Sequence, residues 1–367
     1  MKIVFINTIP IWGGGEHWTL QAALELRRRG HDVTILAAEG GRLLEKSIQE
    51  DIRTLPVPPS WWNERKVTKT IQQQLTMDPP DLLVANSGRD VRLANRIRPS
   101  EGRTQLIFRR GLDKPISNHP FHRRSFQQVR MILVNSMATR DTVYQSFPWY
   151  PKEDIEVIYN PIPLEEFLSY PKKDVRSELG IAPGAFVIGI VARLTRQKGH
   201  ETLFRAMESI IPRVPSARVL VVGDGELRQE LVSLVEALRI KDSVHFVGHA
   251  RIVQPYYEAS DVIAIPSLYE GFCLAAVEAQ LMGRPVVASN SSSLPEVIQD
   301  NRTGFLVPVG DPAALAEKIV ALSADPELRR RMGVEGRMTT ESRFGARKIY
   351  DELEWLLRNL VSGTATC

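Results

Sequence analysis

The sequence predicts an α/β protein of two domains, each with a parallel sheet and helices on its faces. Its 367 residues exceed what one hydrophobic core usually organises. Apolar strand-like runs alternate with helix-like runs from the first residues onward, and this alternation breaks near residue 157 and resumes near residue 186. Alternating strands and helices are typical of doubly wound parallel sheets, and the single break indicates two of them.

The first domain opens with a strand, a glycine-rich turn and a helix. Residues 2–6 are predicted to be a buried strand, and Gly13, Gly14 and Gly15 precede a helical pattern at 16–29 that Gly30 ends. A strand at 31–37 completes a β-α-β unit. Further strands are predicted at 82–85, 106–108 and 132–134.

A proline-rich connector separates the two halves. Residues 157–171 contain three prolines and an asparagine, which favour turns. The second series predicts strands at 186–192, 217–222, 244–247, 262–265, 285–288 and 304–307, with helices at 201–211 and 226–239. Apolar residues at helical spacing in 344–360 predict a final amphipathic helix.

The formal net charge of +4 is unevenly distributed, with +6 over residues 1–160 and −2 over 161–367. This N-terminal surplus could attract an anionic acceptor or an acidic lipid surface, and solvated helix faces are the alternative interpretation. We expect no nucleic-acid partner, because the sequence has no aromatic-basic run, zinc finger or heptad-linked basic region. The surplus includes Arg27, Arg28, Arg29, Arg109, Arg110, Arg123 and Arg124.

The cysteine content and the hydropathy pattern favour the cytoplasm. Cys273 and Cys367 are too few for a disulfide framework and suit a reducing compartment. The first ten residues lack the apolar stretch of a signal peptide, and no apolar run approaches the ~20 residues of a spanning helix. We therefore expect any membrane contact to be peripheral, at an anionic inner surface.

Charged and small residues follow the predicted strands of the second domain, where open α/β sheets bind ligands. Arg193 and Lys198 lie in one strand-to-helix turn. This pair suits a diphosphate, because arginine can fork two oxygens and lysine adds a point charge. Gly223 lies in the next such turn, where glycine lets a ligand approach the backbone. An ordinary basic loop and an ordinary turn are the alternatives.

Two carboxylates, Glu270 and Glu278, flank the start of a predicted helix at 274–282. On one continuous helix they would lie about 12 Å apart, whereas a Glu270 in the preceding loop could fold back. Amides near Cys273 and Leu274 could then bind phosphate while the carboxylates accept hydrogen bonds from ligand hydroxyls. A sugar nucleotide suits this combination. Alternatively, Glu270 only favours the helix N-terminus and Glu278 is a solvated helix residue.

Other chemistries fit less well. A retaining glycosidase needs carboxyl groups ~5 to 5.5 Å apart, and the phosphate-type loops disfavour it. His119 with His122, and His245 with His249, have no obvious carboxylate or thiol cluster beside them, so we expect no metal. The glycines that end at Gly15 lack the spacing of a nicotinamide-binding fingerprint.

Several strings together resemble the retaining glycosyltransferases of family 4, over nearly the whole chain. They are GGGEHWTLQAALELRRRGHDV, VNS, YNP, ARLTRQKG, VGDGELRQEL and YEASDVIAIPSLYEGFCLAAVEAQLMGRPVVAS. The resemblance implies a GT-B fold, in which two Rossmann-like domains face a central cleft. Residues 1–163 would bind the acceptor and residues 164–343 the nucleotide-sugar donor, and the C-terminal helix at 344–367 would cross back to the first domain.

The resemblance also implies roles for individual residues. Arg193 and Lys198 would contact the donor diphosphate, Glu278 the ribose hydroxyls and Glu270 the donor sugar. The predicted catalytic residues are Glu270, Lys198 and Arg193. Further donor contacts are predicted at Gly14, Gly15, Gly223, Val247, Gly248, Gly271, Phe272, Cys273 and Leu274.

Two departures from the family pattern put the identity of the donor sugar in question. Many members carry a histidine after the strand at 106–108, but this chain reads FRRG at 108–111, and the spacing of His119 and His122 does not match. Cys273 replaces a usual glycine, and Ser292 with Ser293 replaces a usual glycine pair.

The expected reaction is transfer of a sugar, with retention and without a metal cofactor, from a UDP- or GDP-linked donor. The acceptor would be a hydroxyl of a saccharide or lipid-linked saccharide, in envelope polysaccharide, lipopolysaccharide or glycolipid synthesis. A non-catalytic sugar-nucleotide-binding or partner subunit of the same fold is the alternative, and the absent histidine would suit it. An NAD-dependent oxidoreductase is a further alternative.

Overall fold

The computed structural model describes residues 1–58, 61–99 and 104–363, without the side chains of residues 61–66 and 121–122. The His122 side chain and Cys367, with the end of the predicted 344–367 segment, therefore lie outside the described residues. The chain divides into two compact units. One comprises Met1–Asn160 with Lys348–Cys367, and the other Pro161–Arg347.

A parallel sheet forms the centre of the first unit. Its strands are β1 (Lys2–Asn7), β2 (Asp32–Ala38), β3 (Arg53–Val57), β4 (Leu82–Ala85), β5 (Gln105–Arg110), β6 (Met131–Val134) and β7 (Ile155–Val157). Within the described residues the strand order is β3-β2-β1-β4-β5-β6-β7. The direction of strand addition therefore reverses between β1 and β4, which is where open α/β sheets bind ligands.

The helices of the first unit cover this sheet. They are α1 (Gly14–Arg28), α2 (Arg42–Gln49), α3 (Trp61–Met77), α4 (Gly88–Ile97), α5 (Pro120–Phe126) and α6 (Met137–Ser146). Every residue of β4 and β6 is buried, because helices on both faces exclude water. Such strands are continuous apolar runs, which is why the sequence identified them.

The second unit has its own parallel sheet. Its strands are β8 (Phe186–Val191), β9 (Ala217–Val222), β10 (Val244–Gly248), β11 (Val262–Ile265), β12 (Val286–Ser289) and β13 (Gly304–Val307). Their order is β10-β9-β8-β11-β12-β13 in the part of the chain that the structure describes. The reversal of strand addition falls here between β8 and β11.

The helices of the second unit begin with two short ones, the first within the predicted connector and the second after it. In chain order they are α7 (Leu164–Leu168), α8 (Val175–Glu178), α9 (His200–Ile210), α10 (Arg228–Ala237), α11 (Gln254–Ala259), α12 (Leu274–Leu281), α13 (Leu294–Val297), α14 (Pro312–Ala324) and α15 (Pro326–Phe344). The predicted connector at 157–171 thus contains one helix, α7, and the end of β7.

The last helix, α16 (Ala346–Ser362), returns the chain to the first unit. Its buried face includes Leu353 and Leu357, as the apolar spacing predicts. Polar side chains also join α16 to the rest of the first unit. Arg29 donates to Glu354 Oε2 at 2.9 Å, and His31 Nε2 lies 3.1 Å from Glu354 Oε1. Among the described residues, no helix is long and apolar enough to cross a membrane.

Candidate functional site

The predicted donor residues of the second unit follow the carboxyl ends of adjacent strands. Arg193 and Lys198 follow β8, Gly223 follows β9, Gly248 ends β10, and Glu270 follows β11. In a parallel sheet these ends share one edge, and the β8/β11 reversal lies within it. The fold therefore gathers residues that are far apart in the sequence.

A left-handed glycine brings the Lys198 turn against the β11 loop. Gly199 has φ +66°, and a Cβ there would stand 2.0 Å from the carbonyl oxygen of Pro266. Only glycine permits both this backbone conformation and this approach. The Leu268 amide also donates to the Gln197 carbonyl at 2.8 Å, so two loops distant in sequence are fixed together.

The junction of these loops holds a buried ion pair. Lys198 Nζ lies 2.6 Å from Glu270 Oε1, and their side chains are 18% and 6% exposed. Ser267 Oγ donates to the same oxygen at 2.8 Å. Ser293 Oγ donates to the Glu270 carbonyl at 3.2 Å. Ser293, which stands where the family usually has glycine, thus supports the loop that carries Glu270.

The electrostatic balance keeps Lys198 charged. Burial lowers the pKa of Lys198, but the charge and hydrogen bond of Glu270 outweigh burial and leave the pKa raised. Burial raises the pKa of the Cys273 thiol, and the Glu270 carboxylate adds to the effect. Burial, followed by the charge of Lys198, lowers the pKa of His200 to about 4. At neutral pH the site therefore presents an ammonium beside a neutral thiol and a neutral imidazole.

Arg193 supplies a second, more accessible cation. Its side chain is exposed, and its charge opposes protonation of Lys198, so the two cations are close enough to interact. The next residue is held by the neighbouring loop, since the Leu194 amide donates to the Asp224 carbonyl at 3.0 Å. An exposed guanidinium on a fixed backbone is suited to contact an incoming anion.

The turns after β9 and β10 are packed against the turn after β8. Gly223 has φ +141°, and a Cβ there would lie 1.9 Å from the Ala192 carbonyl oxygen. The Gly223 amide donates to the Gly248 carbonyl at 2.8 Å. The pairing of β10 with β9 shifts between Phe246 and Gly248, which leaves Val247 outside the regular register. These residues therefore form one wall of closely packed backbone.

The predicted sugar-phosphate segment leads into α12. Gly271, Phe272 and Cys273 precede the helix, and Cys273 is its N-cap, without a side-chain hydrogen bond to the first turn. The positive end of the helix therefore carries no capping side chain. Phe272 stacks edge-on against Phe344 with 5.4 Å between ring centroids. Leu274, the first helical residue, is partly exposed.

Glu278 lies inside α12 with a partly buried carboxyl group. The hydroxyl of Tyr257, a fully buried residue, donates to Glu278 Oε2 at 2.8 Å. Burial raises the pKa of Glu278 to about 7, and the Tyr257 hydrogen bond partly opposes this rise. Glu278 can therefore change its charge near neutral pH and accept hydrogen bonds from ligand hydroxyls when ionised.

The first unit places Gly14 and Gly15 at the start of α1. A Cβ on Gly14 would meet no atom within 4 Å, whereas one on Gly15 would lie 3.7 Å from Asn86 Nδ2 and 3.9 Å from Arg109 Nη1. Asn86 Nδ2 also lies 3.3 Å from the Gly15 carbonyl oxygen. Gly14 is thus open, and Gly15 lies within a polar cluster.

This cluster contains residues that sequence reasoning missed as site residues. Arg109 is only 5% exposed, donates to Asn160 Oδ1 at 3.1 Å and lies 4.6 Å over the Trp18 ring. Burial lowers the pKa of Arg109 to about 10, and the charge of Glu16 opposes that shift. Within the described residues, Glu16 Oε1 and Asn86 Oδ1 are buried without a hydrogen-bond partner.

The solvated-face interpretation of the basic surplus is therefore wrong for Arg109. It and Arg110 lie on β5 and not on a helix. The sequence signal that could have identified this residue is its position, since Arg109 directly follows the apolar run predicted as a strand at 106–108. The structure places a buried arginine at the strand where the family histidine is absent.

Among the side chains that the structure describes, which do not include that of His122, the histidines gather no metal-ligand set. His119 is exposed, and burial with the charge of Arg218 lowers the pKa of His245. Over the described part of the chain, no group of three or more histidine, cysteine or acidic side chains is arranged to hold a metal ion.

Two family models match adjacent parts of the chain. The model described as Glycosyltransferase Family 4 matches residues 12–166, and the one described as Glycosyl transferases group 1 matches residues 171–339. Together they cover both units, including every predicted donor residue.

Named relatives share about a third of the aligned residues. The N-acetyl-alpha-D-glucosaminyl L-malate synthase of Bacillus anthracis is 30% identical over 204 residues, which is 56% of this chain and 53% of that protein. The D-inositol 3-phosphate glycosyltransferase of Corynebacterium kroppenstedtii is 33% identical over 243 residues, 62% of this chain and 53% of that protein. The alignments thus span about half the length of these relatives.

A solved structure matches over the full length. Anabaena HepE in complex with UDP-glucose gives a TM-score of 0.81 at 22% identity, covering 98% of this chain and 100% of that chain. Its similarity confirms the predicted GT-B fold.

Proposed function

From the premise that the chain belongs to glycosyltransferase family 4, we propose that it transfers a sugar from a nucleoside diphosphate sugar to a hydroxyl group with retention of configuration. The observation that carries the proposal is the Lys198–Glu270 pair, with 2.6 Å between Nζ and Oε1 at the edge where the second sheet reverses. This edge combines cations, an uncapped helix start and a carboxylate that titrates near neutrality.

The diphosphate of the donor would lie between the Lys198 turn and the start of α12. Lys198 is held charged by Glu270, and Arg193 is exposed. The first-turn amides of α12 add partial positive charge. Together these groups would neutralise the charge that develops on the leaving diphosphate, a term that is worth ~10²-fold or more in rate for one preorganised donor.

The nucleoside would be bound by Glu278 and the Gly223–Gly248 wall. The ionised Glu278 carboxylate would accept hydrogen bonds from the two ribose hydroxyls, while Tyr257 holds its other side. Gly248, where a Cβ would meet no backbone atom within 4 Å, would let the base approach the backbone, and Gly223 would hold its turn against Ala192. That HepE was solved with UDP-glucose supports a uridine donor for this chain.

In the reaction, the bond between the anomeric carbon and the diphosphate oxygen breaks while a bond to the acceptor oxygen forms on the same face. The acceptor proton passes to the departing phosphate oxygen, so atoms and charge balance. Glu270 would orient the donor sugar through hydrogen bonds to its hydroxyls, because Lys198 and Ser267 already fix its Oε1. The cations named above supply the charge neutralisation that other transferases obtain from a divalent metal.

The acceptor would be a hydroxylated saccharide or lipid-linked saccharide held by the first unit. The +6 charge of residues 1–160 favours an anionic acceptor, and one relative is named for D-inositol 3-phosphate.

The same charge would favour peripheral contact with an anionic membrane surface. Sedimentation with anionic and with zwitterionic vesicles tests that contact, and equal binding to both contradicts it.

The testing experiment is a thermal-shift panel of UDP, GDP, ADP and NAD in EDTA. A ligand at a hundredfold excess over its dissociation constant adds ~2.7 kcal/mol of stability. Stabilisation by one nucleoside diphosphate supports the proposal and identifies the base, whereas stabilisation by NAD alone contradicts it. The matching labelled sugar nucleotide then reports hydrolysis and transfer, and NMR of the product gives the anomeric configuration. Binding without turnover would favour a non-catalytic subunit.

A further inference from the structure

A cavity lies in the second unit, at the end of the sheet opposite the donor loops. It has a volume of about 400 Å³ and is lined by residues that precede β11 and β12 and by residues of α15 between Pro326 and Arg337. Because the strands are parallel, the amino ends of β11 and β12 face away from the edge that carries Lys198 and Glu270. The cavity is therefore separate from the proposed donor site.

Arg284 is the residue in this cavity whose environment is hardest to explain without a ligand. It is half-buried, and burial lowers the pKa of its guanidinium. Its Nε is buried and has no hydrogen-bond partner among the described residues. A partly desolvated cation with a buried donor left without an acceptor is costly, so an anion that bound there would remove that cost.

The acidic groups near Arg284 are already engaged elsewhere. Asp261 lines the cavity, but its Oδ2 accepts from Arg176 at 2.9 Å and from the Val187 amide at 2.7 Å. Glu258 also acts on Arg284 through its charge, but its carboxylate accepts hydrogen bonds from Lys172 and Tyr170. Neither carboxylate forms an ion pair with Arg284.

Three further arginines line the same cavity from α15. Arg329 donates to the carbonyls of Leu322 and Ser323, so no carboxylate neutralises it in those contacts. Arg330 and Arg337 pair with exposed glutamates of their own helix, and exposed pairs of this kind are weak. Four arginines against one aspartate thus concentrate positive charge in a half of the chain whose net charge is −2.

Two closely packed segments, α15 and the turn after α12, form part of the cavity wall. A Cβ on Gly333 of α15 would lie 2.1 Å from the Gly283 carbonyl at the end of α12. The volume of the cavity suits a group of the size of a small phosphorylated molecule. Val334, 50% exposed, adds an apolar part to the wall.

We propose that this cavity is a phosphate-binding site, distinct from the donor site, in which Arg284, Arg329, Arg330 and Arg337 bind a phosphate-bearing ligand. Guanidinium groups bind phosphate through paired hydrogen bonds, and several arginines on two elements can surround one such group. The ligand is either a soluble phosphate compound or the phosphate of a lipid headgroup. The proposal does not depend on the proposed transferase activity.

The experiment measures amide hydrogen exchange over residues 326–337 as inorganic pyrophosphate is titrated into the full chain. A local readout is needed, because pyrophosphate can also bind near Lys198. We expect pyrophosphate to slow amide exchange over residues 326–337. The concentration for half-maximal protection should rise at least tenfold in Arg284→Gln. Val334→Glu places a carboxylate on an exposed helix position and should have the same effect without removing a buried group.

Arg205→Gln is the matched control, since Arg205 is an exposed arginine of the same unit paired with Glu201. A second titration replaces pyrophosphate with phosphatidylglycerol vesicles, against phosphatidylcholine vesicles. Protection by pyrophosphate identifies a soluble ligand, and protection by phosphatidylglycerol alone identifies a headgroup; either supports the site if Arg284→Gln and Val334→Glu weaken it. No protection in either titration, or equal protection in all variants, overturns the proposal.

Discussion

Lys198 and Glu270 are 72 positions apart in the sequence, yet their side chains form an ion pair with 2.6 Å between Nζ and Oε1. Two structural features produce it: the left-handed Gly199 lets one turn touch Pro266, and the loop after β11 folds back towards it. Removing such charges from water is unfavourable unless each has a partner. The pair therefore holds a lysine charged and in place before any anionic ligand arrives.

Replacing Lys198 by alanine should lower turnover by ~10²-fold or more, because one preorganised group that stabilises the leaving diphosphate is lost. The measurement is the initial rate of transfer, or of donor hydrolysis, at saturating donor. Lys241→Ala is the control, since Lys241 is 71% exposed and pairs with Glu236. Unchanged turnover in Lys198→Ala would remove Lys198 from the mechanism.

The same substitution leaves the buried Glu270 without its cation and should also destabilise the fold. Breaking a buried pair typically costs ~3–5 kcal/mol of unfolding free energy. Adding Glu270→Gln should restore part of that stability without restoring turnover. Recovery of both would mean that the low rate of the single variant came from unfolding.

Nucleotide affinity should depend on the ionisation of Glu278. Burial raises the pKa of this carboxyl to about 7, from an ordinary value of 4.5, so it is largely protonated below neutrality. A protonated carboxyl accepts ribose hydrogen bonds less well. We therefore expect the dissociation constant of the stabilising nucleoside diphosphate to fall as pH rises through about 7 and to level off above it, as measured by calorimetry.

Glu278→Gln separates this effect from titration of the phosphate, because the nucleotide is the same in both experiments. The variant should bind the nucleotide more weakly, by ~1.5 to 3 kcal/mol. It should also lose the difference between the dissociation constants at pH 6 and pH 8 that the titration of Glu278 causes. The unfolding free energy should also depend on this group. Because the folded-state pKa of Glu278 is raised, the parent loses stability as pH rises from about 4.5 to about 7, and the loss persists above 7. The variant has no carboxyl group at this position, so it should lose less stability across that window. Identical pH profiles for parent and variant would contradict the ribose role.

The sequence predicted the second sheet well because most of its strands are buried on both faces; β10, of which only Val244 is buried, is the exception. Each of the strands β8 to β13 was predicted to within two residues, as a largely apolar run between turn residues. The two edge strands of the first sheet were missed. β3 begins with Arg53 and Thr54 and contains Pro56, and β7 has only three residues, so neither gives an apolar run.

The candidate site was predictable where a motif carried it and not where packing created it. Arg193, Lys198, Gly223 and Glu270 each follow a strand, so their shared edge follows from parallel topology. The contact of Ser293 with the Glu270 carbonyl, and the burial of Arg109 beside Glu16, depend on distant segments meeting. No local pattern encodes such contacts.

The stability of the first unit should depend on Arg109, because its charge compensates the buried carboxylate of Glu16. Both residues are buried, and no hydrogen bond satisfies Glu16 Oε1 among the described residues, so the Arg109 charge is its compensation. Arg109→Met should lower the unfolding free energy by ~3–5 kcal/mol, measured by denaturant titration. Because the first unit is proposed to hold the acceptor, acceptor affinity should fall in the same variant.

A double-mutant cycle provides the control. Glu16→Gln removes the uncompensated charge, so it should recover part of the stability that Arg109→Met loses, with a coupling energy of ~0.5–3 kcal/mol. If the two losses simply add, the charges do not interact and the buried arginine serves packing against Trp18 instead.

Glu354 should anchor α16 to the first unit, and the anchor should fail in acid. Hydrogen bonds, chiefly from Arg29 and then from Arg358 and His31, lower the pKa of Glu354 to about 2 against the opposing effect of burial. A lowered acid pKa contributes stability that is present above about 4.5 and is lost as pH falls towards about 2. Glu354→Gln should therefore cost ~1.5–3 kcal/mol at neutral pH, the usual worth of a hydrogen bond to a charged group.

The comparison that isolates this effect uses Glu352→Gln, because Glu352 is a neighbour on the same helix and forms an exposed ion pair of 4.0 Å with Lys348. Both variants lose one negative charge from α16, but only Glu354→Gln weakens the contacts with Arg29, His31 and Arg358. Thermal melts at pH 7 and pH 3 should show Glu354→Gln well below the parent at pH 7 and closer to it at pH 3. Because α16 carries Leu353 and Leu357 into the first unit, hydrogen exchange at those positions should rise in the same variant. A pH-independent deficit would assign the loss to packing and not to the charge of Glu354.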